Sequence, residues 1–280
     1  MATPQADKQA VRLAAIGDMH ITRHSQGVLQ PVLSPLNEQA EALLLCGDLT
    51  DYGTAEEAQV LVRELSVLRI PVVAVLGNHD HESGEATQVS RILSDAGVRV
   101  LDGEACEIHG IGFAGVKGFS GGFGPATLGA WGEAATKQFV QEAINEAMKL
   151  ESALARLRTR RRVALLHYAP IRGTVEGEPE QIFSFLGTSR LEEPLNRYPI
   201  DAVFHGHAHR GALQGQTSRG VPVYNVAMPL LRRVFPDQPP VRIIELRAEP
   251  EEPSATNNAA ASAGTHQPVS VQGLSTPRPS

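Results

Sequence analysis

Short apolar runs alternate along the chain with longer segments in which apolar residues recur every three or four positions. A short apolar run bounded by turn residues is typical of a buried strand, whereas the longer spacing is typical of an amphipathic helix. We therefore predict strands at residues 13–16, 43–46, 72–76, 163–166 and 203–205. Three further strands, at 98–101, 105–109 and 111–116, are predicted to cross to a second sheet. Two more are predicted at 221–226 and 241–246.

Helices are predicted in the longer segments. In the segment 54–69, Thr54 and Glu57 form a capping-box pattern, in which each side chain bonds to the backbone N–H of the other residue. A second helix is predicted around 85–96 and closes at Gly97, because glycine commonly ends helices. One helix is predicted before Pro35, and 131–158 is predicted to be one long amphipathic helix.

The composition changes near the carboxyl end of the chain. From Arg247 onward Ala, Ser, Thr, Pro, Asn and Gln dominate, and Phe, Trp and Tyr are absent. Such a segment buries too little apolar surface to offset the entropy lost on ordering. We therefore predict a polar tail over residues 1–10, an α/β domain over 11–247 and a disordered tail over 248–280.

Polar motifs stand at the ends of five predicted strands. They are Gly17-Asp18-Met19-His20, Gly47-Asp48, Gly77-Asn78-His79-Asp80, His167, and Gly206-His207-Ala208-His209. Metal-ligand side chains that recur at the carboxyl ends of strands indicate a site at the rim of an α/β sheet.

This ordered set of motifs resembles that of the calcineurin-like metallophosphoesterase family, and no ligand of the family pattern is missing. The resemblance implies an α/β fold of four layers, in which two mixed β-sheets are sandwiched between helices and a dimetal site lies at the carboxyl ends of strands. It also implies two ligand sets, which are Asp18, His20, Asp48 and His209 for one metal, and Asp48, Asn78, His167 and His207 for the other.

The ligand types suit the hydrolysis of a phosphate ester. Two divalent metals about 3.5–4 Å apart acidify a bridging water and clamp the phosphate. Because two cations this close repel each other, a shared anionic ligand is needed, and Asp48 is the candidate. Imidazole and carboxylate ligands without thiolate suit two divalent transition-metal ions, which we expect to be Mn, Fe, Zn, Co or Ni.

Two residues of the third motif are expected to be catalytic without binding a metal. By resemblance, His79 faces the substrate, where it stabilises the transition state or protonates the leaving oxygen. Asp80 follows it directly and is expected to orient His79 through its carboxylate.

The substrate class follows from departures from related subfamilies. Tyr52 stands where Ser/Thr protein phosphatases of this family carry a phosphate-clamping arginine, which disfavours that activity. Too little chain lies outside the core for a DNA-repair nuclease. The resemblance therefore indicates the small bacterial-type phosphodiesterase and phosphomonoesterase branch, with a small phosphate ester such as a nucleotide as substrate. The alternative is a catalytically inactive scaffold or binding protein with the same fold, although such relatives typically lose ligands that this chain keeps.

Composition adds expectations about partners and location. The formal net charge of −6 argues against general affinity for nucleic acid. The first ten residues are polar and no apolar run approaches 18 residues, so we expect a cytoplasmic protein with no membrane partner. Cys46 and Cys106 are expected to be buried thiols. The oligomeric state is left open.

Two further features each allow two interpretations. The arginines at 156–162 form either a phosphate-binding patch or, as we favour, cations that complement the carboxyl end of a helix. The glycine-rich segment 118–125 is either a substrate lid that presents Phe119 and Phe123, which we favour, or a long surface connection.

Overall fold

The computed structural model describes residues 10–246. The strands in this part of the chain are β1 (Val11–Ile16), β2 (Ala42–Cys46), β3 (Val72–Val75), β4 (Arg99–Val100), β5 (Glu104–Ile108), β6 (Ile111–Gly115), β7 (Arg161–Leu165), β8 (Ala202–His205), β9 (Gln214–Gln216), β10 (Pro222–Asn225) and β11 (Arg242–Leu246). The α-helices are α1 (Gln30–Leu33), α2 (Leu36–Gln39), α3 (Ala55–Leu65), α4 (Ala86–Asp95), α5 (Ala134–Arg156), α6 (Phe183–Leu186), α7 (Glu192–Arg197) and α8 (Met228–Val234). The tail predicted at 248–280, and all but Ala10 of the tail predicted at 1–10, lie outside the described residues.

The strands form two mixed sheets. The first has the order β11-β1-β2-β3-β4, in which β1 to β4 are parallel and β11 is antiparallel to β1. The second has the order β5-β6-β7-β8-β10-β9, with parallel pairing from β6 to β10 and antiparallel strands at both edges. The strand predicted at 98–101 pairs with β3, so its expected place in the second sheet is wrong. The reason is the crossover through α4, which returns the chain parallel to β3 at the edge of the first sheet.

Successive side chains of a strand point to opposite faces of its sheet, and this alternation generates the layers. Leu13 of β1 faces the second sheet and shares a core with Phe113, whereas the next residue, Ala14, faces α3 and shares a core with Leu61. On the second sheet, Ala164 of β7 faces α5 instead of the first sheet. Three cores therefore join four layers, in the order helices, sheet, sheet, helices, as the resemblance implied.

The helices α3, α4 and α5 lie within the segments predicted to be helical, and each is shorter than predicted at both ends. At the start of α3 the capping box is present, because Thr54 Oγ1 accepts a hydrogen bond from Glu57 N at 3.3 Å and Glu57 Oε2 accepts one from Thr54 N at 3.2 Å. The helix α5 begins at Ala134, after Gly132 with a φ of 73°. No helix among residues 10–246 has the length and apolar character needed to cross a membrane.

The structure bears on the two features that allowed two interpretations, the arginines at 156–162 and the glycine-rich segment 118–125. Arg158 donates to the Ala155 carbonyl oxygen at 2.8 Å, which places a cation of the arginine cluster at the carboxyl end of α5. In the segment 118–125, Phe123 is 6% exposed and Gly121 N donates to the Ser184 carbonyl oxygen at 2.8 Å. Because Phe123 is buried, the segment does not form an exposed lid that presents this side chain. Both cysteines are free thiols; Cys46 is buried as expected, whereas Cys106 is only half-buried.

Candidate metal centre

The first group of predicted ligands meets beyond the end of β1. Asp18, His20 and His209 each bring one ligand atom within 4.8 Å of the others. Nε2 of His209 lies 2.9 Å from Oδ1 of Asp18, and the Asp18 carboxylate is buried. Nε2 of His20 is buried and has no hydrogen-bond partner among the described residues. A buried, unpaired ring nitrogen is costly, and a cation placed there would satisfy it.

The second group meets between the ends of β2, β3 and β7. Asp48, His167 and His207 bring ligand atoms within 4.8 Å of one another. Nε2 of His167 lies 3.3 Å from Oδ2 of Asp48 and 2.9 Å from Oδ1 of Asn78. The four residues of the second predicted ligand set therefore lie together.

The carboxylate of Asp48 stands between the two groups. Its Oδ2 lies 3.9 Å from Nε2 of His20 in the first group and 3.3 Å from Nε2 of His167 in the second. An anionic oxygen with one imidazole of each group on either side has the location that a shared ligand requires. The seven residues predicted to bind metal are thus brought together, whereas their role as ligands stays a prediction.

Charge and burial oppose each other in the second group. Burial raises the pKa of Asp48, but the charge and hydrogen bond of His167, the backbone N–H of His79 and the charge of His207 together hold the pKa below its usual range. Burial lowers the pKa of His167, but the charge and hydrogen bond of Asp48, the charge of Asp18 and the Cys46 carbonyl oxygen together outweigh it and raise the pKa to about 9. The pKa of His207 is lowered to about 3 by burial and by the charge of His167. Metal ions bind neutral imidazole, so metal binding would displace the proton from His167.

Three histidine rings of the site place one nitrogen against an oxygen of the protein. The pairs are His167 Nδ1 with the Cys46 carbonyl oxygen at 3.0 Å, His207 Nε2 with the Phe185 carbonyl oxygen at 3.2 Å, and His20 Nδ1 with Asp51 Oδ1 at 3.2 Å. A hydrogen on the oxygen-facing nitrogen leaves a lone pair on the other nitrogen, which is the form that binds a metal.

The backbone is strained where it presents the ligands. Positive φ angles occur at Asp18 (54°), His20 (45°), Asp48 (46°) and His207 (67°), and in the described part of the chain the other non-glycine residue with one is His109. Such conformations cost about 1–3 kcal/mol each and persist where the surroundings hold them, often at functional sites. The strain therefore coincides with the predicted ligands.

Glycines of the motifs leave room for the carboxylates. A Cβ at Gly77 would overlap the Asp48 carboxylate, and a Cβ at Gly206 would overlap that of Asp18. Positions 77 and 206 therefore require glycine, since the side chain of a predicted ligand lies against the backbone at each of them.

His79 lies beside both groups. Its backbone N donates to Oδ1 of Asp48 at 2.8 Å, and its Nδ1 lies 2.8 Å from the Asp51 carbonyl oxygen. No hydrogen bond to its Nε2 is present among residues 10–246, and its ring centroid lies 4.6 Å from that of His20. The ring is therefore fixed through one nitrogen while the other is available to a substrate.

The expected contact between Asp80 and the His79 ring is wrong. The Asp80 carboxylate is fully buried and accepts hydrogen bonds from Leu49 N (3.1 Å), Thr50 N (2.8 Å), Thr50 Oγ1 (2.6 Å) and Gly77 N (2.8 Å). The turn at His79–His81 directs this side chain back toward the backbone, so Asp80 joins the loops that carry Asp48 and Asn78. Burial raises its pKa, against the effect of these hydrogen bonds.

Sequence reasoning missed Asp51. Its carboxylate contacts His20, its carbonyl oxygen contacts His79, and the three side chains bring potential ligand atoms within 4.8 Å. A signal was available, because Asp51 follows Asp48 by three residues in the same loop at the end of β2.

With this geometry described, comparison with known proteins identifies the family. The family model described as calcineurin-like phosphoesterase matches residues 11–211. The chain belongs to the calcineurin-like phosphoesterase family.

A curated relative from Arcobacter nitrofigilis, named "Probable glycerophosphodiester phosphodiesterase GpdQ", is 22% identical over 192 residues. The match covers 64% of this chain and 60% of the relative, so the chain spans less than two thirds of the length of that protein.

Solved structures share the fold. Phosphopantetheinyl hydrolase (PptH) from Mycobacterium tuberculosis is 18% identical, with a TM-score of 0.61 over 85% of this chain and 96% of that one. A protein of Thermus thermophilus is 15% identical, with a TM-score of 0.50 over 85% of this chain and 99% of that one. At these identities the likeness establishes the fold alone.

Proposed function

We propose that this protein is a metal-dependent hydrolase of phosphate esters, acting as a phosphodiesterase or phosphomonoesterase on a small molecule such as a nucleotide. The observation that carries the proposal is the position of Asp48, whose Oδ2 lies near Nε2 of His20 and Nε2 of His167 at 3.9 and 3.3 Å. An anion shared between two ligand groups is needed where two cations lie close together.

The donor set fits two divalent transition-metal ions, because it combines imidazole, carboxylate and one amide oxygen without thiolate. One ion would be held by Asp18, His20, Asp48 and His209, and the other by Asp48, Asn78, His167 and His207. When bound, two such ions supply an acidified water as nucleophile and positive charge for the phosphoryl oxygens.

His79 supplies the proton chemistry in this proposal. The Asp51 carbonyl oxygen, 2.8 Å from Nδ1, accepts the hydrogen of that nitrogen in neutral and protonated imidazole alike. Nε2 then carries the exchangeable proton and donates it to the leaving oxygen as the ester bond breaks. His79 is half-buried, so a substrate reaches its ring from solvent.

Two observations support a small ester as the substrate. The side chain of Tyr52 is 61% exposed near the site, where a protein phosphatase would carry an arginine. The curated relative is named as a phosphodiesterase, which supports the inclusion of phosphodiesters among the candidate substrates.

The test combines metal content with hydrolysis. Protein freed of metal with a chelator and reloaded with Mn²⁺ is expected to bind two ions per chain and to hydrolyse bis(p-nitrophenyl) phosphate or p-nitrophenyl phosphate. The Asp48→Asn variant is expected to lose both ions and most activity, whereas Asp95→Asn on α4, with a side chain 72% exposed, should behave as the wild type.

The outcomes separate the alternatives. Elemental analysis that finds a single tight site in metal-saturated protein would contradict the dimetal arrangement. Two bound ions without hydrolysis of either ester would favour the inactive scaffold. The ratio of the two rates distinguishes a phosphodiesterase from a phosphomonoesterase.

A further inference from the structure

A cavity of about 230 Å³ is lined by residues that follow strands of both sheets. Its walls include three apolar and three ionisable residues, which are Leu76, Val100, Leu101, His81, Asp102 and Lys117. Leu76 follows β3, Leu101 follows β4 and Lys117 follows β6. Since these strands are parallel to those that carry the metal-site motifs, the cavity opens at the same rim.

The cavity is built on the segments that carry two predicted ligands. Leu76 precedes Asn78 by two residues. The carbonyl oxygen of Lys117 accepts hydrogen bonds from His167 N and Tyr168 N, both at 3.0 Å. The ring of Tyr168 in turn lies 4.4 Å from that of His207, centroid to centroid. The ring of Tyr168 therefore lies near both His207 of the candidate metal centre and the Nζ of Lys117.

Lys117 has an unusual environment for a cation. Its Nζ donates to the Gly118 carbonyl oxygen at 3.0 Å and lies 5.0 Å from the ring centroid of Phe119 and 5.3 Å from that of Tyr168. No carboxylate in the described part of the chain lies within ion-pair distance of it. Burial lowers its pKa, although the charge of Glu146 opposes the shift. A partly buried ammonium group is ordinarily paired, so an anion in the cavity would be stabilised there.

Two of the acids whose charge acts on Lys117, Glu146 and Asp102, are engaged by other donors. Lys149 Nζ lies 3.0 Å from Oδ1 of Asp102 and 2.8 Å from Oε1 of Glu146. The other oxygen of Glu146 accepts a hydrogen bond from Gly118 N at 2.7 Å. These two carboxylates are therefore held on Lys149 and on the backbone, and neither forms an ion pair with Lys117.

We propose that this cavity is a subsite for a second anionic group of the substrate, a carboxylate or a phosphate, bound by Lys117. The apolar wall of Leu76, Val100 and Leu101 would contact the carbon atoms that link this group to the phosphoester. The inference rests on the proposed phosphoester hydrolysis and narrows it to esters in which one alcohol carries a further negative charge.

Calorimetric titration of the Mn²⁺-loaded protein tests the subsite without catalysis. The three probes are propylphosphonate, 3-phosphonopropionate and ethylene-1,2-bisphosphonate, which share a phosphonate and differ in the tail. We expect at least one charged tail to improve affinity over propylphosphonate by roughly 10-fold, as for a hydrogen bond to a charged group. The tail that binds more tightly distinguishes a carboxylate from a phosphate.

Variants assign the effect to Lys117. In Lys117→Met the preference for a charged tail is expected to fall to about one, whereas Lys117→Arg, which retains the charge, should keep it. Lys137→Met, at an exposed position on α5, is the matched control and should keep the wild-type preference. Metal content and thermal unfolding of each variant show that it is folded and loaded.

Two outcomes separate the subsite from the proposed function. If all three phosphonates bind the wild type equally, or if Lys117→Met keeps the preference, the subsite proposal is wrong and the phosphoesterase proposal stands. If no phosphonate binds the metal-loaded protein, the proposed function fails and the subsite fails with it.

Discussion

Oδ1 of Asp51 lies 3.2 Å from Nδ1 of His20, while Nε2 of the same ring is buried and unpaired among residues 10–246. A carboxylate on one imidazole nitrogen fixes the ring and its hydrogen, so the other nitrogen keeps its lone pair for a metal. The carbonyl oxygen of Asp51 also lies 2.8 Å from Nδ1 of His79. Asp51 thus positions a predicted ligand with its side chain and a predicted proton donor with its backbone.

Replacing Asp51 by Asn is expected to weaken the binding of one metal. The amide keeps the size of the side chain but removes the charge that orients His20, and such changes typically cost about 10–100-fold in metal affinity. Titration of metal-free protein with Mn²⁺ measures the effect, with Asp237→Asn at an exposed position as the control. Equal affinity in both variants would mean that the contact with His20 does not matter for metal binding.

Replacing His79 by Asn should separate proton transfer from metal binding. The variant is expected to keep both metals and to lose about 10²–10⁴-fold in rate, the usual scale for a positioned general acid. Esters with a p-nitrophenolate leaving group need little protonation, so they should lose less than esters with an alkoxide leaving group.

Metal analysis beside rates on both kinds of ester checks this expectation. His109→Asn is the matched control, because His109 is exposed on the turn between β5 and β6 and asparagine tolerates its φ of 52°. A lost metal in His79→Asn would make His79 a ligand. An equal loss of rate on both kinds of ester would favour electrostatic stabilisation over proton donation.

Replacing Asp80 by Asn is expected to destabilise the fold near the site. The carboxylate accepts hydrogen bonds from two donors of Thr50 and from the backbone of Leu49 and Gly77. An amide NH₂ would face some of these donors, and an unsatisfied buried group costs about 1–3 kcal/mol. Urea unfolding measures the change, and Asp95→Asn provides the exposed control. An unfolding free energy equal to that of the wild type would contradict this structural role.

The sequence was most informative about the central strands. Buried runs such as Val72–Val75 are recognisable because they are apolar on both faces and are followed by a turn motif. The edges were harder to predict. The strand Gln214–Gln216 is polar and exposed at two of three positions, and its pairing with β10 comes from the tertiary fold.

Within the site, too, some features follow from the sequence and others depend on the tertiary fold. Residue types and order, through the family resemblance, predicted seven ligand residues, and the fold brings these residues together. They did not predict the direction of the Asp80 side chain, which depends on the turn at His79–His81. They also did not reveal Asp51, because its contact with His20 depends on how two separate loops approach each other.

A close approach of the backbone at Gly206 to a predicted ligand gives the last prediction. The Asp18 carboxylate is held by the backbone N of His207, which donates to Oδ1 at 2.9 Å and lies 3.0 Å from Oδ2. A Cβ at Gly206 would overlap Oδ2 and would lie 2.9 Å from the Cys46 carbonyl oxygen, so one neighbour is a carboxylate held by hydrogen bonds and the other is backbone.

Gly206→Ala is therefore expected to displace the Asp18 carboxylate and to weaken the metal site of Asp18, His20 and His209 more than the other site. Gly173→Ala is the matched control, because a Cβ there meets only Ile171 Cδ1 at 3.9 Å. Both variants are loaded with limiting Mn²⁺, and bound metal is measured by elemental analysis beside thermal unfolding. If Gly206→Ala binds two ions as tightly as the control, metal binding does not depend on this close approach.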